Sequence, residues 1–236
     1  SLQRLWFRGG FPPSFLARSE SLSTEWRKGY VASYLERDIP SLGIQIPASA
    51  LRRFWLMLTH FHGQVFNASE IGRSLGVADT TARRYLDILT GTFMIRQLVP
   101  WVENIAKRQV KSPKIYFRDS GIFHTLLGVR SEEDLRRHPK LGASWEGFAL
   151  EEILRVRRAA QEEAFFWATH AEAELDLMIM RDGMREGYEF KFTDRPRVTK
   201  SMRMALHDLR LDRLTVIVPG DASFPLDKRI EAVGLD

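Results

Sequence analysis

The chain of 236 residues has no cysteine, which excludes a disulfide framework and any thiolate metal site and fits a reducing compartment. It also lacks an apolar run approaching the roughly 18 residues of a membrane span, and its first residues do not follow the basic-then-apolar pattern of a secretion signal. A cytoplasmic protein without a membrane partner is expected. No G-x-x-x-x-G-K-[ST] phosphate loop occurs anywhere, so this chain should not hydrolyse ATP by itself. Internal repeats and low-complexity tracts are missing as well. The chain starts at Ser1 rather than Met and is expected to be part of a longer protein.

What is present is 44% hydrophobic content, ample for the cores of about two modest domains. The net charge of +5 is unevenly spread. From Arg52 to Arg118 there are eleven Lys or Arg against four Asp or Glu, whereas from Leu141 onward fourteen face eighteen. The basic middle points to a polyanion partner, and the acidic C-terminal part carries the candidates for chemistry.

Two segments of that part stand out. In Leu175-Asp176-Leu177-Met178-Ile179-Met180 a lone aspartate sits inside an apolar run that reads as a buried strand. An unpaired carboxylate there would cost several kcal/mol, so Asp176 needs a partner. Thirteen residues after Leu175 begins Tyr188-Glu189-Phe190-Lys191-Phe192. Strand alternation places Glu189 and Lys191 on one face, and a neighbouring strand would let Asp176 converge on them. Hard carboxylate oxygens suit Mg²⁺ or Mn²⁺. Asp176 and Glu189 are the expected metal ligands, with Lys191 placed to orient an attacking water or stabilise the transition state.

These residues resemble the PD-(D/E)XK nuclease superfamily. The resemblance implies a restriction-endonuclease-like core of helix, three-strand meander, helix and strand. The sequence offers these in order: a helix over 144–157, strands over 164–168, 175–180 and 187–192, a helix over 198–209 and a strand over 214–219. It implies that Asp176 is the motif's aspartate, that Glu189 and Lys191 are its E-x-K, and that Glu146 is the acid carried by the first helix. A Mg²⁺-dependent deoxyribonuclease is what it implies chemically.

The basic middle reads as a winged helix-turn-helix. Asn67-Ala68-Ser69-Glu70 has the form of an N-cap with an acid three residues on, Gly76 ends a short helix, and a second helix from Thr80 to Leu89 would bury Ala82, Leu86 and Leu89. Thr81, Arg83, Arg84 and Asp87 would face outward. Strands are expected over 93–100 and 114–117, with Lys107, Arg108 and Lys111 on a wing between them. In a DNA-binding version Thr81, Arg83 and Arg84 would lie in the major groove and the wing cations on phosphates. Trp101, Tyr85, Phe93 and Trp55 read as packing residues, and His60 and His62, two apart, share no helix face for a metal.

Leu5-Trp6-Phe7-Arg8-Gly9-Gly10-Phe11-Pro12, Tyr34-Leu35-Glu36-Arg37-Asp38-Ile39-Pro40 and Ser112-Pro113-Lys114-Ile115-Tyr116-Phe117-Arg118-Asp119-Ser120-Gly121 are similar to a widespread prokaryotic family. Its members carry an AAA-type ATPase core followed by a domain of unknown function. The patterning reads as a mixed α/β chain in three parts, a helical segment 1–49, a winged helix-turn-helix over 50–128 and a nuclease-like domain over 141–236, and the resemblance implies that the first links to an absent ATPase core. Ser131 to Pro139 reads as a charged linker. ATP would enter only through the absent core, and Arg8 is either part of a turn or a residue near that nucleotide. The readings left standing are a DNA-binding nuclease, a catalytically silent nucleic-acid- or protein-binding regulatory module, and an oligomerisation platform that would make the chain a homo-oligomer.

Overall fold

A computed structural model of the chain describes residues 1–103, 109–170 and 173–236. Two compact units emerge, one from Ser1–Arg96 with Ile115–Ser144, the other from Gln97–Lys114 with Trp145–Asp236. Each is made of two separate stretches of chain.

The first unit begins with α1 (Leu2–Arg8), α2 (Pro12–Phe15) and α3 (Glu20–Ser33), which runs into a π-helical turn, Tyr34–Asp38, and α4 (Ile39–Ser41). Then follow α5 (Ala48–Leu58), β1 (Gln64–Val65), α6 (Ala68–Leu75), α7 (Asp79–Gly91), β2 (Ile95–Leu98), β3 (Lys114–Phe117), α8 (Ser120–Leu127) and α9 (Glu132–Arg137). The three strands pair in the order β1-β3-β2. One core joins Val31, Leu35 and Ile39 to Phe54, Trp55, Ile71, Leu86, Leu89, Ile115 and Phe123. The segment to residue 49 and the region 50–128 therefore share a single interior.

Local chemistry explains the turn between α6 and α7. The Asn67 side chain accepts from the Glu70 N–H, and Gly76 closes α6 at φ 70°, a left-handed conformation that costs glycine little. Ala82, Leu86 and Leu89 face inward as their spacing requires. Two expectations need correction. Residues 131–139 are not a bare linker, because Ser131 caps α9, three acids fill its first turn and two arginines its last, all in the sense the helix dipole favours. Phe93 is not a packing residue: it stands at φ 63° and is 70% exposed, with the Arg118 guanidinium over its ring.

Polar groups are buried in this unit with matched partners. His124 lies between the Phe7 carbonyl (3.0 Å from Nδ1) and Ser144 Oγ (2.6 Å from Nε2), and Ser144 Oγ accepts from the Trp6 indole at 2.9 Å. His62 bonds the Ala143 carbonyl through Nε2 and accepts the Phe117 N–H at Nδ1, both at 3.0 Å. Arg27, fully buried, donates to Thr125, Ser23, Ser14 and Thr24 and to the Arg8 carbonyl. The Arg8 guanidinium is itself occupied by Glu20 and by the carbonyls of Phe15 and Ala17. The motifs around Arg8-Gly9-Gly10 and Asp119-Ser120-Gly121 close on one another. Asp119 caps α8 through Ile122 N and accepts from Gly10 N, each at 2.8 Å. A Cβ at Gly121 would come within 2.1 Å of the Arg8 carbonyl oxygen.

The second unit is built on α10 (Leu141–Arg157), β4 (Ala164–Ala168), β5 (Glu174–Arg181), β6 (Met184–Phe190), α11 (Lys200–Asp208), β7 (Arg213–Val218), β8 (Ser223–Asp227) and β9 (Ile230–Gly234). Its mixed sheet has the order β4-β5-β6-β7-β9-β8. β4, β5 and β6 form an antiparallel meander, β6 to β7 and β7 to β9 are parallel, and β8 returns antiparallel along β9. Met202 and Ala205 of α11, with Leu209 just past its end, pack with Leu175, Leu214 and Val216 into the core. Strands β8 and β9 extend the sheet beyond what the sequence pattern indicated. Among the described residues no helix is long and apolar enough to cross a membrane.

Candidate active site

The meander places the acids. Leu177 pairs with Tyr188 in the β5–β6 register, so one step further along the ladder Asp176 and Glu189 come level and point to the same face. Asp176 Oδ2 accepts from the Phe190 N–H at 3.1 Å, and both carboxylates are nearly buried. Lys191, just past the strand, turns its ammonium back to Glu189 Oε2 at 2.8 Å and Asp176 Oδ2 at 3.6 Å. The alternate face carries a different cluster, in which Glu186 is held by Arg157, Arg213 and the Tyr188 hydroxyl.

A second ammonium enters from β3. Lys114 reaches Glu174 in a short ion pair, Glu146 Oε1 at 3.7 Å and Asp176 Oδ1 at 3.9 Å. Its side chain is only 4% exposed, and its Nζ lies 5.6 Å from the centre of the Phe166 ring. The four residues expected to converge, Glu146, Asp176, Glu189 and Lys191, do meet. Sequence reasoning missed Glu174 and Lys114. The signal for Lys114 was of the same kind that singled out Asp176: one charge at the head of the buried strand Lys114-Ile115-Tyr116-Phe117.

The electrostatics follow from burial and crowding. Burial pushes the Glu189 carboxyl well above the usual carboxylate range and the Asp176 charge adds to this, while Lys191 pulls the other way. Burial alone would lower Lys114, but Glu146, Asp176 and Glu174 more than reverse it. Lys191 is raised in the same way, Asp176 and Glu189 outweighing its desolvation. Both ammoniums therefore stay charged through the neutral range.

The cluster does not fit a divalent metal as it stands. Mg²⁺ requires several oxygens converging at about 2.1 Å on one vacant point, and at the point shared by Glu146, Glu174 and Asp176 stands the Lys114 ammonium. Among the described residues no group of three histidine or acidic side chains is arranged to hold a metal ion.

Of the expected nucleic-acid contacts, Arg83 and Arg84 are exposed on α7 and Thr81 is half-buried beside them. Lys111 is exposed on the stretch that belongs to the second unit. Lys107 and Arg108 lie outside the described residues.

Residues 1–133 match a family described as a domain of unknown function (DUF8612), and residues 141–236 match a second domain of unknown function (DUF4143). Uncharacterized proteins of Mycobacterium bovis and Mycobacterium tuberculosis are each 52% identical over 233 residues, a match covering 99% of this chain and 52% of each relative. The chain thus spans about half the length of the curated relatives it matches. No solved structure matches it.

Proposed function

This chain belongs to the DUF8612 family of domains of unknown function, and on that footing we propose that it is the regulatory C-terminal part of an AAA-type ATPase-associated protein. In this reading its first unit carries a winged helix that contacts DNA, and its second is a PD-(D/E)XK-like domain that is catalytically silent. The ATPase association is supported by the match to DUF4143, which typically accompanies AAA-type ATPases. Silence rests on one observation: the Lys114 and Lys191 ammoniums already stand against the acids of the nuclease-like cluster. A fold can outlast its chemistry, since function resides in the site.

Calorimetry with Mn²⁺ and a plasmid-nicking assay in Mg²⁺ or Mn²⁺ test this reading. The wild-type chain should take up no metal at about 1 mM and should nick no faster than Asp176→Asn. Metal uptake accompanied by cleavage that Asp176→Asn abolishes would restore the nuclease reading.

The DNA-binding half rests on the exposed arginines of α7. Replacing Arg83 and Arg84 together by alanine should weaken duplex binding and lower the salt slope by about 0.9 for each phosphate that the variant no longer neutralises. Fluorescence anisotropy over a salt series measures it. Unchanged affinity and slope in a folded double variant would turn the reading toward a protein partner.

A further inference from the structure

Phe93 stands at a backbone position where glycine would serve the fold better. Two bonds close the end of α7, from Phe93 N to the Thr90 carbonyl at 3.0 Å and from Met94 N to the Leu89 carbonyl at 2.9 Å, and this closure holds residue 93 in the left-handed region at φ 63°. Such closures favour glycine, because a bulky side chain is strained there. Burial does not compensate the strain, since the ring is 70% exposed. The Arg118 guanidinium lies over it, 5.4 Å from the ring centre. A cavity of about 330 Å³, at the small end of ligand pockets, is lined by this pair together with Phe11, Pro12, Met94, Asp119 and Ile122. Asp119 directs its two oxygens to the N–H groups of Ile122 and Gly10, so backbone dipoles already meet its charge.

We propose that Phe93 and Arg118 form a stacking platform for an unpaired base of single-stranded DNA, with the base against the ring and over the cavity. An exposed aromatic ring beside a guanidinium is the chemistry that holds a base, because every base has a π-face for the ring and the guanidinium can stack in turn or meet a phosphate. The surrounding charge fits a polyanion: from Arg52 to Arg118 eleven Lys or Arg stand against four Asp or Glu. The cavity has room for one planar ring system and not for the apolar face of a helix. A strained and exposed phenylalanine is then stability given up for binding. The inference goes beyond the duplex-binding reading. Arg83 and Arg84 would meet the phosphates of paired strands, whereas the Phe93 ring needs a base that has left its stack.

The test compares, by fluorescence anisotropy, a labelled oligo-dT of about ten nucleotides with an abasic strand of equal length, which carries the same phosphates without bases. The wild-type chain should bind oligo-dT roughly tenfold more tightly than the abasic strand. Phe93→Gly should lose that preference while melting no lower than wild type. Phe93→Leu, apolar but without a ring, should lose it as well, and Phe93→Trp should keep it. A ring that serves only the fold would behave differently: Phe93→Gly would melt several degrees lower, and that result overturns the proposal. Equal affinity of the wild-type chain for the two strands, binding to neither, or an undiminished preference in Phe93→Gly overturns it too. The salt slope of the Arg83 and Arg84 double variant on duplex reads phosphate contacts and not bases, so the duplex reading and this one fail separately.

Discussion

Lowering the pH from 7 to 4 is expected to destabilise the first unit by roughly 3 kcal/mol for each of two buried histidines. Burial holds His62 down to about 3 and His124 down to about 4, against an ordinary value of 6.5. Their hydrogen bonds explain why neither accepts a second proton easily. His62 Nδ1 is already the acceptor for the Phe117 N–H, and a proton there would set two N–H groups against each other. His124 Nε2 faces Ser144 Oγ, whose oxygen takes the Trp6 indole proton and whose own proton is free to go to the imidazole. Unfolded, both rings protonate near pH 6.5. The unfolded chain therefore binds more protons below that value, and the stability present above it drains away as pH falls toward 4 and 3. Asp119, pushed upward by burial, works in the opposite sense and offsets part of the loss. Melting followed by circular dichroism should drop on the order of 10 °C between pH 7 and 4, and His124→Gln should shallow the descent. Ring resonances of His62 and His124 that titrate near pH 6.5 in the folded chain would remove this account.

Arg27→Ala is expected to cost on the order of 4 kcal/mol, enough to unfold much of the first unit at moderate temperature. The guanidinium is fully buried, and it is met by four hydroxyls and a carbonyl rather than by a salt bridge. Burial lowers its pKa, while Asp119 and Glu20 act to restore it. Truncation removes the donors and leaves a large void beside Phe7, over whose ring the cation lies at 6.0 Å. Arg27→Met should be milder, because it fills much of the void and three of the stranded hydroxyls keep other partners. Ser14 and Ser23 are within 2.8 Å of each other. Thr125 donates to the Gly121 carbonyl. Urea unfolding of the three chains gives the comparison. An alanine variant within about 0.5 kcal/mol of wild type would mean that this unit does not depend on its buried arginine.

These two cases show where a linear reading of the chain stops. Asp176 was legible because a charge inside an apolar strand is an anomaly that its neighbours expose, and Glu189 with Lys191 followed from strand alternation. Arg27 gave no such sign. It sits on α3 among Ser23, Thr24, Glu25 and Lys28, a setting that reads as a solvated helix face, and its other partners come from positions 8, 14 and 125. Lys114 was read as a strand residue, correctly, but its three acids lie between 32 and 62 positions downstream. No local pattern reports a partner at that separation. The helix pair α6 and α7 fell where capping and periodicity placed it, since those signals are contained within about twenty-five residues. Strands β8 and β9 escaped notice because Ser223–Asp227 is almost fully exposed and contains Pro225, the composition of an edge rather than a core.

Residues 97–114 make the two units a single heritable cassette. The first is completed only by Ile115–Ser144, and the second borrows a stretch encoded ahead of that completion. A recombination junction between residues 133 and 141 falls cleanly between the two family matches, yet it parts Lys114 from Glu146, Glu174 and Asp176. The downstream piece would carry its carboxylates without their innermost counter-charge. Lineages that shuffle such modules at the family border would inherit an altered electrostatic centre along with the fold, and only an exchange that carries residue 114 with residues 141–236 transfers the site whole.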